Sequence, residues 1–177
     1  MPRDKMTIVH KIIFSGPVGS GKSTAIKTIS ETPVIQTESK TTDISRELKN
    51  QTTVAMDYGT LVLNNEKIHM YGTPGQDRFN FMWEILTKGG NGLVILIDAS
   101  RESAIEDMNT YLEGFSHFVS EAAVVIGLTR TDVHQRYKLE DFRDSLISVG
   151  AMYPVIEVDA REPTDVLHVI NTLLNCA

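Results

Sequence analysis

The chain has 177 residues, of which 41% are hydrophobic and 23% charged, a balance that excludes a disordered or collagen-like chain and suits one domain over residues 1–177. Its net charge of −6, with no long basic run, argues against a nucleic-acid partner. A single cysteine, Cys176, excludes an internal disulfide framework and a cysteine-rich zinc site, and it fits a reducing compartment.

The two ends of the chain carry no recognisable targeting signal. The opening MPRDKMTIVH lacks the apolar core of a signal peptide and the glycine that a myristoyl group needs, and no window is long enough for a membrane span. Cys176 lies one residue from the end, so it does not fit C-a-a-X prenylation. We therefore expect a cytoplasmic protein without a lipid anchor.

Short β-branched apolar runs alternate with longer stretches of helical spacing. This order predicts an α/β fold, in which a mostly parallel six-stranded sheet carries helices on both faces. The predicted strands cover residues 7–15, 53–64, 67–72, 92–99, 123–128 and 155–159. The predicted helices cover residues 21–30, about 77–88, 103–120, 139–149 and 164–175.

A phosphate-binding loop follows the first predicted strand. Residues 16–24 read GPVGSGKST, which fits G-x-x-x-x-G-K-[ST] between a strand and a helix, as in P-loop NTPases. Lys22 is expected to reach the β- and γ-phosphates, and the Ser23 hydroxyl to bind Mg²⁺. The alternative is a glycine-rich turn with an incidental lysine. The nucleotide-binding residues predicted here are Gly16, Val18, Gly19, Ser20, Gly21, Lys22, Ser23 and Thr24.

Two features follow the first predicted helix. Residues 31–52 form a polar stretch of about twenty residues, longer than most connectors in a compact domain, so we expect this loop to be either functional or disordered. Beyond it, residues 54–62 and 66–70 flank Asn64-Asn65, which predicts an antiparallel hairpin at one edge of the sheet.

The two segments around this hairpin resemble the switch regions of Ras-like small GTPases. Thr53-Val-Ala-Met-Asp57-Tyr58 resembles T-x-G-x-D-F, which implies that Thr53 is a metal ligand in a switch I of about residues 31–53. Residues 72–77, GTPGQD, stand where that family has D-x-x-G-Q-E, at the start of a switch II of about residues 72–88. The resemblance implies that Gly75 donates its N–H to the γ-phosphate and that Gln76 orients the attacking water.

The segment after the predicted strand 123–128 resembles the base-reading motif N-K-x-D. In Thr129-Arg130-Thr131-Asp132, the carboxylate of Asp132 would accept hydrogen bonds from guanine N1 and N2, and Arg130 could lie over the base. Thr129 replaces the usual Asn, and an Asp that merely caps a turn is the alternative. Later, Asp159-Ala160-Arg161 resembles the S-A-K loop, which implies a contact from the Ala160 N–H to the base. GTP or GDP with Mg²⁺ is the implied cofactor pair.

A narrower resemblance is to the bacterial branch of small GTPases, the MglA-like polarity regulators and the related conservon-type proteins. It is carried by TTVAMDYG at residues 52–59 and YGTPGQDRFNFMW at residues 71–83. The resemblance implies a slow GTPase that acts as a molecular switch and is regulated by a small roadblock-type partner protein. It also implies an arginine supplied from the long polar loop, for which Arg46 is the candidate; a solvated surface charge is the alternative.

Gly72 departs from the family pattern, since it stands where the family has an Asp that holds a water on Mg²⁺. Asp98 and Asp57 are the candidate replacements, and we expect weakened metal binding. The large apolar residues Phe79, Phe81, Met82 and Trp83 are expected to be mainly structural, with a partner surface as the alternative.

Two other functions remain open at this point. A P-loop kinase or phosphotransferase would need a lid with several arginines, and few of the arginines fall in a candidate lid. A nucleotide-binding scaffold without hydrolysis would not need Gln76. The switch hypothesis is preferred because three motifs occur in the order expected for it.

Overall fold

The computed structural model describes residues 8–36, 57–75, 80–134 and 136–176, and for residues 80–82 it describes the backbone only. Their main feature is a seven-stranded sheet in the order β2-β3-β4-β1-β5-β6-β7. The strands are β1 Val9–Ser15, β2 Ile35–Gln36, β3 Asp57–Leu63, β4 Glu66–Gly72, β5 Gly92–Asp98, β6 Ala123–Thr129 and β7 Val155–Glu157. The helices are α1 Lys22–Ile29, α2 Asn80–Thr87, α3 Ala104–Gly114, α4 Ser116–Val119, α5 Leu139–Ser148 and α6 Pro163–Asn175.

The five strands β4, β1, β5, β6 and β7 are parallel, whereas β3 runs antiparallel to β4 and β2 antiparallel to β3. Between β3 and β4, Asn64 and Asn65 have φ values of 53° and 66°, as a two-residue type I′ turn requires. The predicted hairpin is therefore present. However, β2 adds a further strand at the edge of the sheet beside β3, so the prediction of six strands was wrong. Ile35–Gln36 is too short to show a periodic pattern in the sequence.

The sheet separates two apolar clusters, because successive side chains of a strand point to opposite faces. On one face, residues such as Phe14 of β1 pack with α1 and α6. On the other face, residues such as Ile13 of the same strand pack with α2, α3 and α5. Every residue of β5 and β6 is buried, as expected for central strands covered on both sides.

The single helix predicted over residues 103–120 was wrong, because the chain forms α3 and the four-residue α4 with Phe115 between them. Phe115 is 2% exposed and packs in the second apolar cluster. The apolar residues of this stretch keep a helical spacing through Phe115, so the sequence pattern does not reveal that the helix ends there. In the part of the chain that the structure describes, no helix is long and apolar enough to cross a bilayer.

Candidate nucleotide-binding site

The predicted site residues that the structure describes lie at the carboxyl ends of the parallel strands. Residues 16–23 follow β1, Gly75 follows β4, Thr129 ends β6, and Ala160 follows β7. This edge is where open α/β sheets bind ligands, because the loops from neighbouring strands converge there. Gln76, Arg46 and Thr53 lie outside the described residues.

The loop after β1 has the backbone conformation of an anion-binding cradle. Gly16, Gly19 and Gly21 have φ values of 139°, 78° and 101°, a region that side chains with a Cβ rarely adopt. A Cβ on Gly16 would also lie 2.0 Å from the carbonyl oxygen of Leu96 in β5. The glycines therefore allow both the turn and the close approach of the loop to β5. Helix α1 begins immediately after the loop, at Lys22.

Lys22 is held inside this loop. Its Nζ donates hydrogen bonds to the carbonyl oxygens of Gly16 at 2.6 Å and Pro17 at 2.7 Å, and the residue is 7% exposed. Burial lowers the pKa of the Lys22 ammonium from 10.5 to about 8, while the nearby Asp57 carboxylate acts in the opposite direction. The loop thus places a cation beside backbone groups suited to phosphate.

Asp57 occupies the space opposite Gly72. The two residues are paired across the β3–β4 ladder, and a Cβ on Gly72 would lie 3.0 Å from Asp57 Oδ2. Ser23 Oγ donates a hydrogen bond to Asp57 Oδ2 at 2.6 Å, and Gln36 Nε2 donates one to Asp57 Oδ1 at 3.1 Å. A carboxylate therefore reaches the metal-ligand candidate Ser23 from β3 instead of β4.

Asp98, the other candidate for the missing carboxylate, is directed elsewhere. Its Oδ2 accepts a hydrogen bond from Arg130 Nη1 at 2.7 Å, and its Oδ1 accepts bonds from the Ser100 amide and hydroxyl. Asp98 thus anchors the guanidinium of Arg130, in the segment after β6. Of the two carboxylates proposed from the sequence, Asp57 is the one in contact with Ser23.

The hydroxyl and carboxylate oxygens of Ser23 and Asp57 are ligands that suit Mg²⁺. Within the described ranges there is no group of three or more His, Cys, Asp or Glu that could hold a metal. A Mg²⁺ ion bound with a nucleotide needs few protein ligands, because phosphate oxygens and waters complete its coordination shell.

A cleft of about 580 Å³ adjoins the loop after β1. Its walls come from the start of α1, from residues 129–133 after β6, and from residues 157–161 around the end of β7. Thr129, Arg130, Asp132 and Ala160 all line it, so the structure brings the predicted base-reading residues together. Asp132 is exposed at this cleft.

Thr129 joins this cleft to the phosphate loop. Its Oγ1 donates to the carbonyl oxygen of Ser20 at 2.9 Å, and the residue is 4% exposed. Gly21 packs against the other wall, since a Cβ there would lie 3.1 Å from that of Ala160. The hydroxyl of Thr129 thus makes a bond between the two parts of the site.

Arg161 adds a charge that the sequence analysis did not assign. Its guanidinium forms two hydrogen bonds with Asp159, which lower the pKa of that carboxyl to about 2. The pKa of Arg161 is raised chiefly by its hydrogen bonds to Asp159, with a smaller contribution from the Asp132 carboxylate. Arg161 and Asp132 both line the cleft, from two separate loops.

Comparison with known proteins agrees with this geometry. A family model described as "Conserved hypothetical ATP binding protein" matches residues 32–172, which are 141 of the 177 residues. The chain belongs to this family. It is a nucleotide-binding protein with a P-loop, and the phosphate loop at residues 16–23 lies just before the matched range.

Two curated relatives match this chain to different extents. An uncharacterized protein of the archaeon Methanocaldococcus jannaschii is 49% identical over 55 residues, which are 31% of this chain and 36% of that protein. The Ras-related protein RabC of Dictyostelium discoideum is 21% identical over 174 residues, or 94% of this chain and 83% of RabC. The similarity to RabC along the chain and the observed sheet confirm the predicted α/β P-loop fold.

Proposed function

We propose that this protein is a guanine-nucleotide switch, which binds GTP with Mg²⁺, hydrolyses it slowly to GDP and signals to partner proteins. The observation that carries the proposal is the cleft in which Asp132, Thr129 and Ala160 meet next to the phosphate loop. A nucleotide with its phosphates on residues 16–23 would extend its base into that cleft.

Base selection is assigned to Asp132. An exposed carboxylate only accepts hydrogen bonds, and guanine presents two adjacent donors, N1–H and the N2 amine, that a carboxylate can bind together. Adenine has an unprotonated N1, so it lacks this pair. Arg130 is tied to Asp98, which leaves its aliphatic stem to line the cleft.

Phosphate and metal binding are assigned to the glycine loop, Lys22, Ser23 and Thr53, with Asp57 as the supporting carboxylate. Bound Mg²⁺ would neutralise charge on the β- and γ-phosphate oxygens. Lys22 would exchange its two carbonyl partners for phosphate oxygens, and Asp57 would orient Ser23 by accepting a hydrogen bond from its hydroxyl.

Hydrolysis is assigned to Gln76 and Gly75, with Arg46 as a source of positive charge. Gln76 would orient the attacking water, Gly75 would donate its N–H to the γ-phosphate, and Arg46 would stabilise the transition state. Turnover without a partner is expected to be slow, on the order of 10⁻⁴ per second. The resemblance of residues 52–59 and 71–83 to MglA-like proteins supports a switch and a roadblock-type regulator.

ATP is the second candidate, because the matching family is described as ATP-binding. An ATP-dependent phosphotransferase or a binding scaffold would use the same phosphate loop. The two proposals differ in the role of Asp132, since its carboxylate offers no donor for the acceptor N1 of adenine.

Competition between fluorescent GDP and unlabelled GDP or ADP separates these candidates. We expect GDP to displace the probe at a concentration at least tenfold below that of ADP. Asp132→Asn should weaken GDP binding and improve binding of xanthosine diphosphate, because the amide can donate to the xanthine O2. Asp144→Asn on the exposed surface of α5 makes the same charge change and should leave both unchanged. Tighter binding of ADP than GDP would refute the guanine assignment.

A further inference from the structure

Gly75 packs closely against the phosphate loop. A Cβ at this position would lie 2.6 Å from Val18 N, 2.8 Å from Pro17 C and 2.9 Å from Lys22 Nζ. Only a residue without a side chain can approach so closely. The position of Gly75 is therefore set by the same loop that would hold the phosphates.

On its other side, Gly75 is bonded to helix α3. The Tyr111 hydroxyl donates a hydrogen bond to the Gly75 carbonyl oxygen at 3.1 Å, and Tyr111 is 3% exposed. The bond joins residues 36 positions apart in the chain. Tyr111 lies in the last turn of α3 and faces the apolar cluster beneath α2.

The ring of Tyr111 also contacts Trp83 in α2. The two ring centroids are 5.0 Å apart, and Trp83 stacks on Phe115 with centroids 4.5 Å apart. Among the described residues, the buried Trp83 Nε1 has no hydrogen-bond partner. Ring packing therefore holds Trp83 in place, and a shift of Tyr111 would change its surroundings.

We propose that Tyr111 is a positioning residue that couples Gly75, at the phosphate loop, to the aromatic contact of helix α2 through its hydroxyl group. The inference rests on the proposed function for its hydrolytic part. The carbonyl that Tyr111 holds belongs to the peptide leading into Gln76. Fixing that oxygen fixes the direction in which the chain leaves Gly75, which is what a water-orienting residue at position 76 requires.

The coupling follows from the contacts on the two sides of Gly75. A ligand in the phosphate loop that pushes Val18, Pro17 or Lys22 towards Gly75 would displace Gly75, because the space between them is too small even for a Cβ. Any such movement lengthens or turns the hydrogen bond from Tyr111. Since Tyr111 and Trp83 are in ring contact, the change reaches α2 without passing through residues 76–79.

Tyr111→Phe tests this role because it removes one hydroxyl and keeps the ring. We expect single-turnover GTP hydrolysis to fall about five- to tenfold, the effect of one hydrogen bond, with nucleotide affinity within about twofold of wild type. Trp83 is the only tryptophan, so it reports on α2. The difference in its fluorescence between the GDP form and the form with a non-hydrolysable GTP analogue should shrink.

Tyr137→Phe is the matched control. The Tyr137 hydroxyl also donates to a main-chain carbonyl, that of Glu102 at 2.8 Å, but this carbonyl belongs to the segment before α3 and not to Gly75. This variant should behave as wild type. Phe115→Leu provides a second test if Tyr111→Phe folds poorly, because it loosens the Trp83 stack and keeps the hydroxyl. It should reduce the fluorescence difference while hydrolysis stays near the wild-type rate.

The outcomes distinguish this inference from the proposed function. Wild-type protein that binds GTP without hydrolysing it would refute the hydrolytic proposal, and the fluorescence measurement would still decide the coupling. Unchanged hydrolysis and an unchanged fluorescence difference in Tyr111→Phe would overturn the role of Tyr111. A loss of nucleotide affinity equal to the loss of rate would also overturn it, by showing a general structural defect.

Discussion

At the scale of single residues, the site places the Asp57 carboxylate beside Ser23, in the space next to Gly72. Asp57 and Gly72 face each other in the antiparallel ladder, so a carboxylate on either one can reach the same space. Gly72 leaves room for the Asp57 side chain, and Asp57 fills it and accepts the Ser23 hydroxyl. A motif search that requires Asp at position 72 would miss this arrangement.

Asp57→Asn tests whether the exchange supports metal binding. The amide keeps the size of the side chain but removes its negative charge, so we expect the Mg²⁺ concentration that enhances nucleotide binding to rise about 10- to 100-fold. Nucleotide affinity in EDTA should change little. Titration of Mg²⁺ against a fluorescent nucleotide measures both. Asp98→Asn, which alters the carboxylate bonded to Arg130, should leave the Mg²⁺ requirement unchanged; the opposite ranking would assign the role to Asp98.

The lowered pKa of Lys22 predicts that folding stability and nucleotide affinity change in opposite directions as pH rises above 8. Its pKa is about 8 in the protein and 10.5 in the unfolded chain, so burial of the charged lysine disfavours folding below pH 8. Between these values the unfolded state binds more protons, so the unfavourable contribution is relieved and the free energy of unfolding rises with pH. Phosphate would raise the pKa of the bound form. Nucleotide affinity should therefore be level below pH 8 and fall by up to about tenfold per pH unit above it.

Isothermal titration in buffers from pH 7 to pH 9.5 measures this change in affinity and the accompanying proton uptake. Lys22→Arg keeps a positive charge that does not titrate in this range. We expect this variant to bind nucleotide more weakly because arginine fits the loop less well, and its nucleotide affinity should no longer change with pH. A slope that persists in Lys22→Arg would place the titration on another group.

At the scale of elements, α2 packs closely on α3 because position 114 of α3 is a glycine. A Cβ on Gly114, the last residue of α3, would lie 2.3 Å from Trp83 Cζ3. The helix thus leaves room for the indole, which is 2% exposed. Trp83 is therefore a core residue, as expected, whereas Phe79 and the side chains of Phe81 and Met82 lie outside the part described.

Gly114→Ala should destabilise the protein although alanine is the better helix former. The gain in helix propensity is about 1 kcal/mol, while the overlap with Trp83 costs about 1–3 kcal/mol unless the indole moves. We expect a lower free energy of unfolding and a red-shifted tryptophan emission. Glu113→Ala, at the exposed neighbouring position, should stay within about 0.5 kcal/mol of wild type. A more stable Gly114→Ala with unchanged emission would contradict the packing argument.

Patterns that arise within a short stretch of sequence were predictable, and those that depend on distant partners were not. Short β-branched apolar runs located β1, β5 and β6, and the glycine spacing located the phosphate loop. The strand β2 was missed because two residues carry no period, and the end of α3 was missed because Phe115 is buried by its neighbours. The contact of Asp57 with Ser23 required the register of β3 against β4.

At the scale of the whole molecule, Thr129 connects the two halves of the proposed site. Its hydroxyl joins the end of β6 to the phosphate loop after β1, two strands that β5 separates in the sheet. Thr129 stands where the resembling GTPases have an asparagine. The observed bond shows that the Thr129 side chain reaches the Ser20 carbonyl oxygen and so connects the two loops.

Thr129→Val removes this connection at nearly constant volume. Loss of a buried hydrogen bond should cost about 1–3 kcal/mol of stability. It should also weaken nucleotide binding about tenfold, because the loops that contact the base and the phosphates are no longer held together.

Nucleotide at 100 times its Kd stabilises a protein by about 2.7 kcal/mol, which corresponds to a Tm increase of about 5–11 °C at this chain length. At the same GDP concentration, Thr129→Val should show roughly half that increase. Thr172→Val is the control, since its hydroxyl donates to the His168 carbonyl within α6, away from the phosphate loop in the sequence. An equal GDP-induced increase in Thr129→Val and wild type would show that the two halves bind nucleotide independently.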